Sequence, residues 1–401
     1  MLSRTVISTI GMGVQGLARF AYTLIIGNIA SKESLGEISA LLSLSVFASL
    51  FWPAAAGVAA SRFIPDLKLS ETAIAVLKRS FIIAVLILAV LTAPVTYFLG
   101  SDLSEVFGTV ALVISYSGYV FVRGVLLGED RIIRATVIDT ITSFIAITIL
   151  VLVLFAGWHW ATLLPLTISY LVFTLVSWPK GGRVRTSAMR REVLLFTRDS
   201  TLAMIATGGL LPVTMLFVRA FDTPTVAGLF AAGLSLATPA NLLAQSVNQV
   251  LVPHFARMLG GPISSMRRSQ LHVFLVSLVG FVAVFGLLIW LSPWILDTFF
   301  QGEYNDGLAS MQVMLVVVGM MSLMAAPSAY LVATGRQGLY ARIWLVATIL
   351  GILVMLLAAP TMGQWGAVAG FVLGGIGGSL AVVVCGLTLA PRTLQPDPAP
   401  E

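Results

Sequence analysis

Five polar side chains stand out against a very apolar chain, and their types suit recognition rather than covalent chemistry. Arg19 lies well inside a long apolar run. Asn241, Gln245, Asn248 and Gln249 lie in the middle of another, from Gly228 to Arg257. A guanidinium carries a permanent charge with five N–H donors and no acceptor, so it suits an anion. A side-chain amide both donates and accepts, which suits hydroxyl-bearing ligands such as sugars. The amide spacing of i, i+4, i+7 and i+8 places all four on one helical face, with Leu, Val and Ala opposite. Such a stripe either lines a wet cavity or hydrogen-bonds to a neighbouring helix.

Arg19 shares a stripe with Ser8, Gln15 and Tyr22, and its own run contains no acid. It faces a cleft, pairs with an acid of another segment, or reaches out to lipid headgroups. Arg123 has a nearer partner. It precedes the end of the fourth apolar segment by five residues, and Asp139 opens the fifth. A hairpin of these two segments puts both groups at similar depth and predicts an Arg123–Asp139 ion pair. Arg62 and His254 occupy matching ends of the second and eighth segments, where they either snorkel to headgroups or line the mouth of a cleft. Arg219 ends the seventh segment three residues before Asp222, which makes snorkelling or a local pair the expectation there.

Positioning these groups requires elements that cross a bilayer. Of the 401 residues 58% are apolar and only 10% charged, with a mean hydropathy of +1.00, against about 25% charged residues in ordinary soluble domains. The chain therefore reads as an all-α polytopic membrane protein. Twelve segments are long and apolar enough for transmembrane helices: roughly 6–29, 37–61, 79–99, 106–128, 135–156, 160–178, 198–218, 225–252, 272–296, 308–333, 343–359 and 365–389. With the N-terminus placed in the cytoplasm, 19 of the 23 Lys and Arg fall in inner segments and two, Lys32 and Arg219, in outer ones. This asymmetry predicts a multi-pass protein of the cell membrane with both termini cytoplasmic. The net charge of +6 then reflects topology and gives no reason to expect nucleic acid. The first apolar run is of full span length and contains Arg19, unlike a removable signal peptide.

The chain also looks doubled. AGLSLA at 232–237 lies over ALLSLS at 40–45, and His254-Phe255 over Arg62-Phe63, both at an offset of 192. GWHWA at 157–161 lies over GQWGA at 363–367, an offset of 206. Two six-helix lobes in the same orientation follow, with a site in the cleft between them. The boundaries predicted are a first lobe over 1–178, a basic cytoplasmic linker over 179–197, a second lobe over 198–389 and a disordered cytoplasmic tail over 390–401. Pro53, Pro212, Pro239 and Pro327 are expected to interrupt the second, seventh, eighth and tenth segments.

Several function classes lack their residues. The one cysteine and three scattered histidines give no metal-ligand spacing and no disulfide framework. No GxxxxGK[ST] loop is present to hold a nucleotide. No cofactor, metal or catalytic group is predicted, and the chain is not expected to be an enzyme.

Three passages carry a family likeness: 17–66, with an arginine in the first segment, LGEIS and a second segment ending SRF-P; MLFVRAFDTPTVAGLFAAGLSLA at 215–237; and ATGRQGLYAR at 333–342. They resemble the multidrug/oligosaccharidyl-lipid/polysaccharide (MOP) exporter superfamily, most nearly its Wzx-type polysaccharide flippases. The resemblance implies two six-helix bundles in a V around a cationic cleft. It implies transfer of a polyprenyl-pyrophosphate-linked oligosaccharide from the inner to the outer leaflet by alternating access. Arg19 and Arg62 occupy positions where relatives put cleft cations; Arg123 is a third candidate, and the four amides are candidates for the glycan. Such relatives often carry an acid where this chain has Thr214. The expected partners are the anionic lipid-linked glycan and membrane lipids, with the protein a monomer working alongside glycan-assembly proteins. The alternatives are a drug/cation antiporter of the same superfamily, which would want buried carboxylates, and a membrane glycan polymerase or glycosyltransferase, which would want a larger loop outside the bilayer.

Overall fold

The computed structural model describes residues 2–66, 68–100, 102–184, 186–258 and 263–389. Side chains are described from Gly16 onward, except at positions 159, 239–250, 252–254, 256–257 and 263. The described residues form fifteen α-helices, two short 3-10 turns and no strand. The helices are α1 (Leu2–Ile29), α2 (Lys32–Leu50), α3 (Pro53–Phe63), α4 (Ser70–Phe98), α5 (Leu103–Gly128), α6 (Ile132–Phe155), α7 (Leu164–Val176), α8 (Ser187–Gly208), α9 (Leu210–Phe221), α10 (Pro224–Arg257), α11 (Ile263–Phe299), α12 (Leu308–Leu323), α13 (Ala325–Ala333), α14 (Gln337–Met362) and α15 (Gln364–Thr388).

Among the described residues, eight helical stretches are long and apolar enough to cross a membrane, and nine when α8 and α9, bent by 58°, count as one span. The remaining expected segments fall on α1, α10 and the shorter α7. The arrangement is consistent with twelve crossings. Three of them are broken, each within the four residues before a proline: α2/α3 before Pro53, α8/α9 before Pro212, α12/α13 before Pro327. There the ring removes one backbone donor and clashes with the carbonyl four residues back. The expected interruption at Pro239 is not present, because α10 runs continuously from Pro224 to Arg257. A proline alone does not break a membrane helix when surrounding helices satisfy the freed carbonyl.

Local chemistry sets several helix ends. The Ser31 hydroxyl accepts the Ser34 N–H at 3.2 Å to cap α2, and Asp102 with Glu105 forms a capping box on α5. The start of α15 is capped from a distance, where Asp222 Oδ2 accepts the Gln364 N–H at 2.6 Å. Gly157 after α6 and Gly363 before α15, matched in the 206-residue offset, both adopt positive φ, +72° and +56°. Only glycine takes that conformation readily.

Burial follows the logic of a membrane solvent. Large apolar side chains point outward from α4, α6 and α11, including Val90 at 72% exposure, Phe144 at 68% and Trp290 at 75%. Small and hydroxyl residues turn inward on α2, where Ser39, Ser43, Ser45 and Ser49 are buried. Lipid is as apolar as leucine, so close backbone approach and hydrogen bonds hold such helices together rather than expulsion of water. Within the first half α3, α4 and α7 pack on α5, and α1 on α6; within the second, α14 pairs with α15 and α10 with α12 and α13. The halves meet where α1 and α2 cross α10, α2 crosses α9, and α3 packs on α8.

At the Lys32 end this junction is dense. Asn28 Nδ2 donates to the Phe299 carbonyl at 2.7 Å, Gln301 Nε2 donates to Asn28 Oδ1 at 3.0 Å, and the Tyr304 hydroxyl donates to the Gly27 carbonyl at 3.1 Å. Thr225 donates to Glu33 at 2.5 Å, and Arg219 pairs with Glu37 at 3.4 Å.

Candidate functional site

Between the halves, below the junction at the Lys32 end, lies a cavity of about 730 Å³. That is within the range of pockets that enclose small-molecule ligands, about 300–1,000 Å³. Its walls come from α1, α2, α3, α5 and α7 on one side and α8, α9, α10, α12, α13 and α14 on the other.

Arg19 reaches this cavity from α1, ten residues before that helix ends. Its Nε and Nη2 both donate to the Tyr170 hydroxyl of α7, at 3.3 and 3.2 Å. Its guanidinium carbon lies 4.9 Å from the centre of the Tyr116 ring of α5. Tyr22, one turn further along α1, donates to the carbonyl of Thr162. Tyr116, Tyr119 and Tyr170 pack against one another with centroids 5.0–6.0 Å apart. The guanidinium is therefore held by neutral groups: two N–H bonds to one phenol and a cation–π contact on another. Both interactions leave its charge uncancelled.

Arg123, seven residues beyond Tyr116 on α5, also lines the cavity. It makes the ion pair expected from the hairpin, with Nε 3.2 Å from Asp139 Oδ2 on α6. The Arg123 side chain is 17% exposed and that of Asp139 only 2%. Asp139 does not line the large cavity; it borders a separate void of about 20 Å³ behind Arg19. Among the described residues, the charged side chains that line the large cavity are thus two guanidiniums; no carboxylate lines it, and Asp139 sits behind Arg123 as its counter-charge. A cavity whose lining charges are guanidiniums favours anions over cations.

The other expected positions fall differently. Arg62 does not line the cavity. It is exposed and its guanidinium carbon lies 4.4 Å from the Phe196 ring of α8 and 5.4 Å from that of Phe63. Its place at the end of α3 turns it onto the α3–α8 contact. Arg219 takes Glu37 of the other half as its partner rather than Asp222, which is engaged in capping α15. Thr214 is fully buried and donates to the Leu210 carbonyl of its own helix at 2.8 Å, so this position carries no charge. The backbone of Asn241, Gln245, Asn248 and Gln249 lies within the unbroken α10; their side chains, and that of His254, lie outside the described residues.

Sequence reasoning missed the tyrosines. Tyr116, Tyr119 and Arg123 follow at i, i+3 and i+7, one face of α5, so the stripe was readable. Tyr170, which holds Arg19 across 151 positions, carried no local signal.

These features define a multi-pass membrane protein with a cationic cavity between two helical halves. Neither a protein-family model nor a curated protein matches the sequence. Solved structures show that its fold is that of transporters of the MOP superfamily. The lipid II flippase MurJ in an inward closed conformation matches with a TM-score of 0.75 at 13% identity, covering 94% of this chain and 87% of its own. A MATE-family multidrug resistance transporter in an inward-facing conformation matches with a TM-score of 0.69 at 15% identity, over 95% and 97%. A MOP superfamily transporter from Pyrococcus furiosus Vc1, described by the reverse polarity of its binding pocket, matches with a TM-score of 0.55 at 14% identity, over 95% and 93%.

Proposed function

We propose that this chain flips an anionic lipid-linked oligosaccharide, of the polyprenyl-pyrophosphate type, from the cytoplasmic to the outer leaflet. The observation that carries the reading is the sign of the cavity: Arg19 and Arg123 line it, and no described carboxylate does. A diphosphate entering it meets N–H donors held in place beforehand, so little ordering is lost on binding. The fold shared with the flippase MurJ supports a lipid-borne substrate.

In this reading the lobes 1–178 and 198–389, joined by the basic linker 179–197, rock about the dense junction at the Lys32 end. Both termini face the cytoplasm and the chain acts as a monomer alongside glycan-assembly proteins. The amides Asn241, Gln245, Asn248 and Gln249 contact the glycan. The step is non-covalent. The membrane potential or an ion gradient drives it, one elementary charge being worth about 2.3 kcal/mol per 100 mV.

Because MATE multidrug transporters share the fold, cation export is the competing reading, and the absence of a described carboxylate at the cavity weighs against it. Leaflet-to-leaflet transfer of a polyprenyl-diphosphate-linked sugar in proteoliposomes separates the two. Transfer that depends on Arg19 supports the flippase. Proton-coupled efflux of a cationic dye with no lipid transfer overturns it.

A further inference from the structure

Tyr340 lines the cavity from the first turn of α14, on the half that carries neither arginine. Its hydroxyl has no hydrogen-bond partner among the described residues. The other hydroxyls that line the cavity from this half, those of Thr207, Ser235, Thr238 and Ser328, each donate to a carbonyl of their own helix. A phenol stands too far from its own backbone to do the same. Much of the remaining wall is apolar, with Leu211, Leu234, Val318, Met321 and Met324. Tyr340 is thus the described side chain of the second half with an uncommitted O–H at the cavity.

Its depth matches that of Arg123 on the first half. Arg123 lies five residues before the end of α5 at Gly128, and Tyr340 three residues after the start of α14 at Gln337, about 7 and 5 Å along their helix axes. Both ends lie away from Lys32. Gly128 packs against Ala60 and Ile64 near the end of α3. The start of α14 follows α12 and α13, which leave the Lys32 end just after Tyr304. Arg123 gives its Nε to Asp139, while its two Nη groups have no partner among the described residues. Guanidinium N–H groups from one half and a phenol O–H from the other therefore line the same end of the cavity, all of them free to donate. Oxygens of an anion accept from both kinds of donor, and such charge-assisted bonds are the strong ones.

We propose, resting on the flippase reading above, that Tyr340 is a substrate-binding residue. Its O–H donates to the lipid-linked diphosphate whose oxygens also take the Nη groups of Arg123, so one anion is held by both halves at the end of the cavity away from Lys32. The second half then contributes to anion binding without bringing a charge of its own.

The test uses the full chain in lipid nanodiscs and two probes, farnesyl diphosphate and inorganic pyrophosphate, with binding and thermal unfolding measured for the wild type and for Tyr340→Phe. The substitution keeps the ring and removes only the hydroxyl. Affinity for both probes is expected to fall by about tenfold, the low end for a hydrogen bond to a charged group, at an unchanged melting temperature. A Tyr340→Phe variant that binds both probes as tightly as the wild type overturns the proposal alone. So does a loss confined to farnesyl diphosphate, which would make Tyr340 a contact of the tail. Wild-type protein that binds pyrophosphate as tightly as farnesyl diphosphate, or an Arg19→Ala variant that binds farnesyl diphosphate as well as the wild type, overturns the flippase reading beneath it.

Discussion

Gly36 and Gly228, 192 positions apart, touch through their backbones. A Cβ on Gly36 would fall 2.6 Å from the Gly228 nitrogen, and one on Gly228 only 2.0 Å from the Lys32 carbonyl oxygen. The offset is the one that aligns ALLSLS with AGLSLA, and it recurs in the Thr225–Glu33 bond, also spaced by 192. Positions matched by the repeat thus meet where α2 crosses α10, as they must near an axis relating two similar halves.

Because no side chain fits at this crossing, Gly228→Ala is expected to force the halves apart at the Lys32 end. Overpacking of this kind costs about 1–3 kcal/mol, enough to shift a two-state equilibrium by about fivefold to 150-fold. In a Cys385→Ser background, a Ser43→Cys reporter in the cavity should become more reactive toward an impermeant thiol reagent added outside cells. Unchanged labelling would mean that the glycine contact does not hold that end shut.

Glu37 and Arg219 span the same junction, with side chains 28% and 15% exposed. Partial exposure makes the pair worth about 1 kcal/mol or less. Glu37→Gln should therefore leave folding nearly intact while raising the same cysteine accessibility modestly. The charge swap Glu37→Arg with Arg219→Glu should restore the wild-type value. A double-mutant cycle with zero coupling energy would remove the pair from the junction.

Tyr170 fixes Arg19 with two N–H bonds. Tyr170→Phe keeps the ring packing against Tyr116 and Tyr119 and removes only the acceptor. Hydrogen bonds to charged groups are worth about 1.5–3 kcal/mol, so farnesyl diphosphate affinity is expected to fall by about tenfold at unchanged expression and melting temperature. A melting temperature that drops with affinity intact would make Tyr170 a packing residue only.

The Arg123–Asp139 pair sets an asymmetric expectation. Arg123→Ala strands a carboxylate that is 2% exposed, and breaking such a pair costs about 3–5 kcal/mol. Thermal unfolding in detergent should show a large loss for Arg123→Ala and a smaller one for Arg123→Ala with Asp139→Ala. Asp139→Asn should instead strengthen anion binding, because the guanidinium at the cavity loses its counter-charge. A double-variant loss equal to the sum of the losses of Arg123→Ala and Asp139→Ala taken singly would show that the pair is not coupled.

Much of this was legible in one dimension. Hydropathy alone separates apolar helix from connection, because a bilayer admits no unsatisfied backbone. The 192 offset was visible in ALLSLS and AGLSLA. The Arg123–Asp139 pair followed from two adjacent helices and a short turn, where sequence distance still limits spatial distance. What the sequence left open is rotational. Each residue along a helix turns the side chain by about 100°, so a small error in helix pairing sends an arginine to a cavity or to a neighbour. Arg19 turned inward, onto tyrosines of α5 and α7. Arg62 turned onto Phe196. Arg219 passed over Asp222 for Glu37 on the other half. Hydropathy decided that these charges sit in apolar helices; only the packing of one helix on another decided what each charge faces.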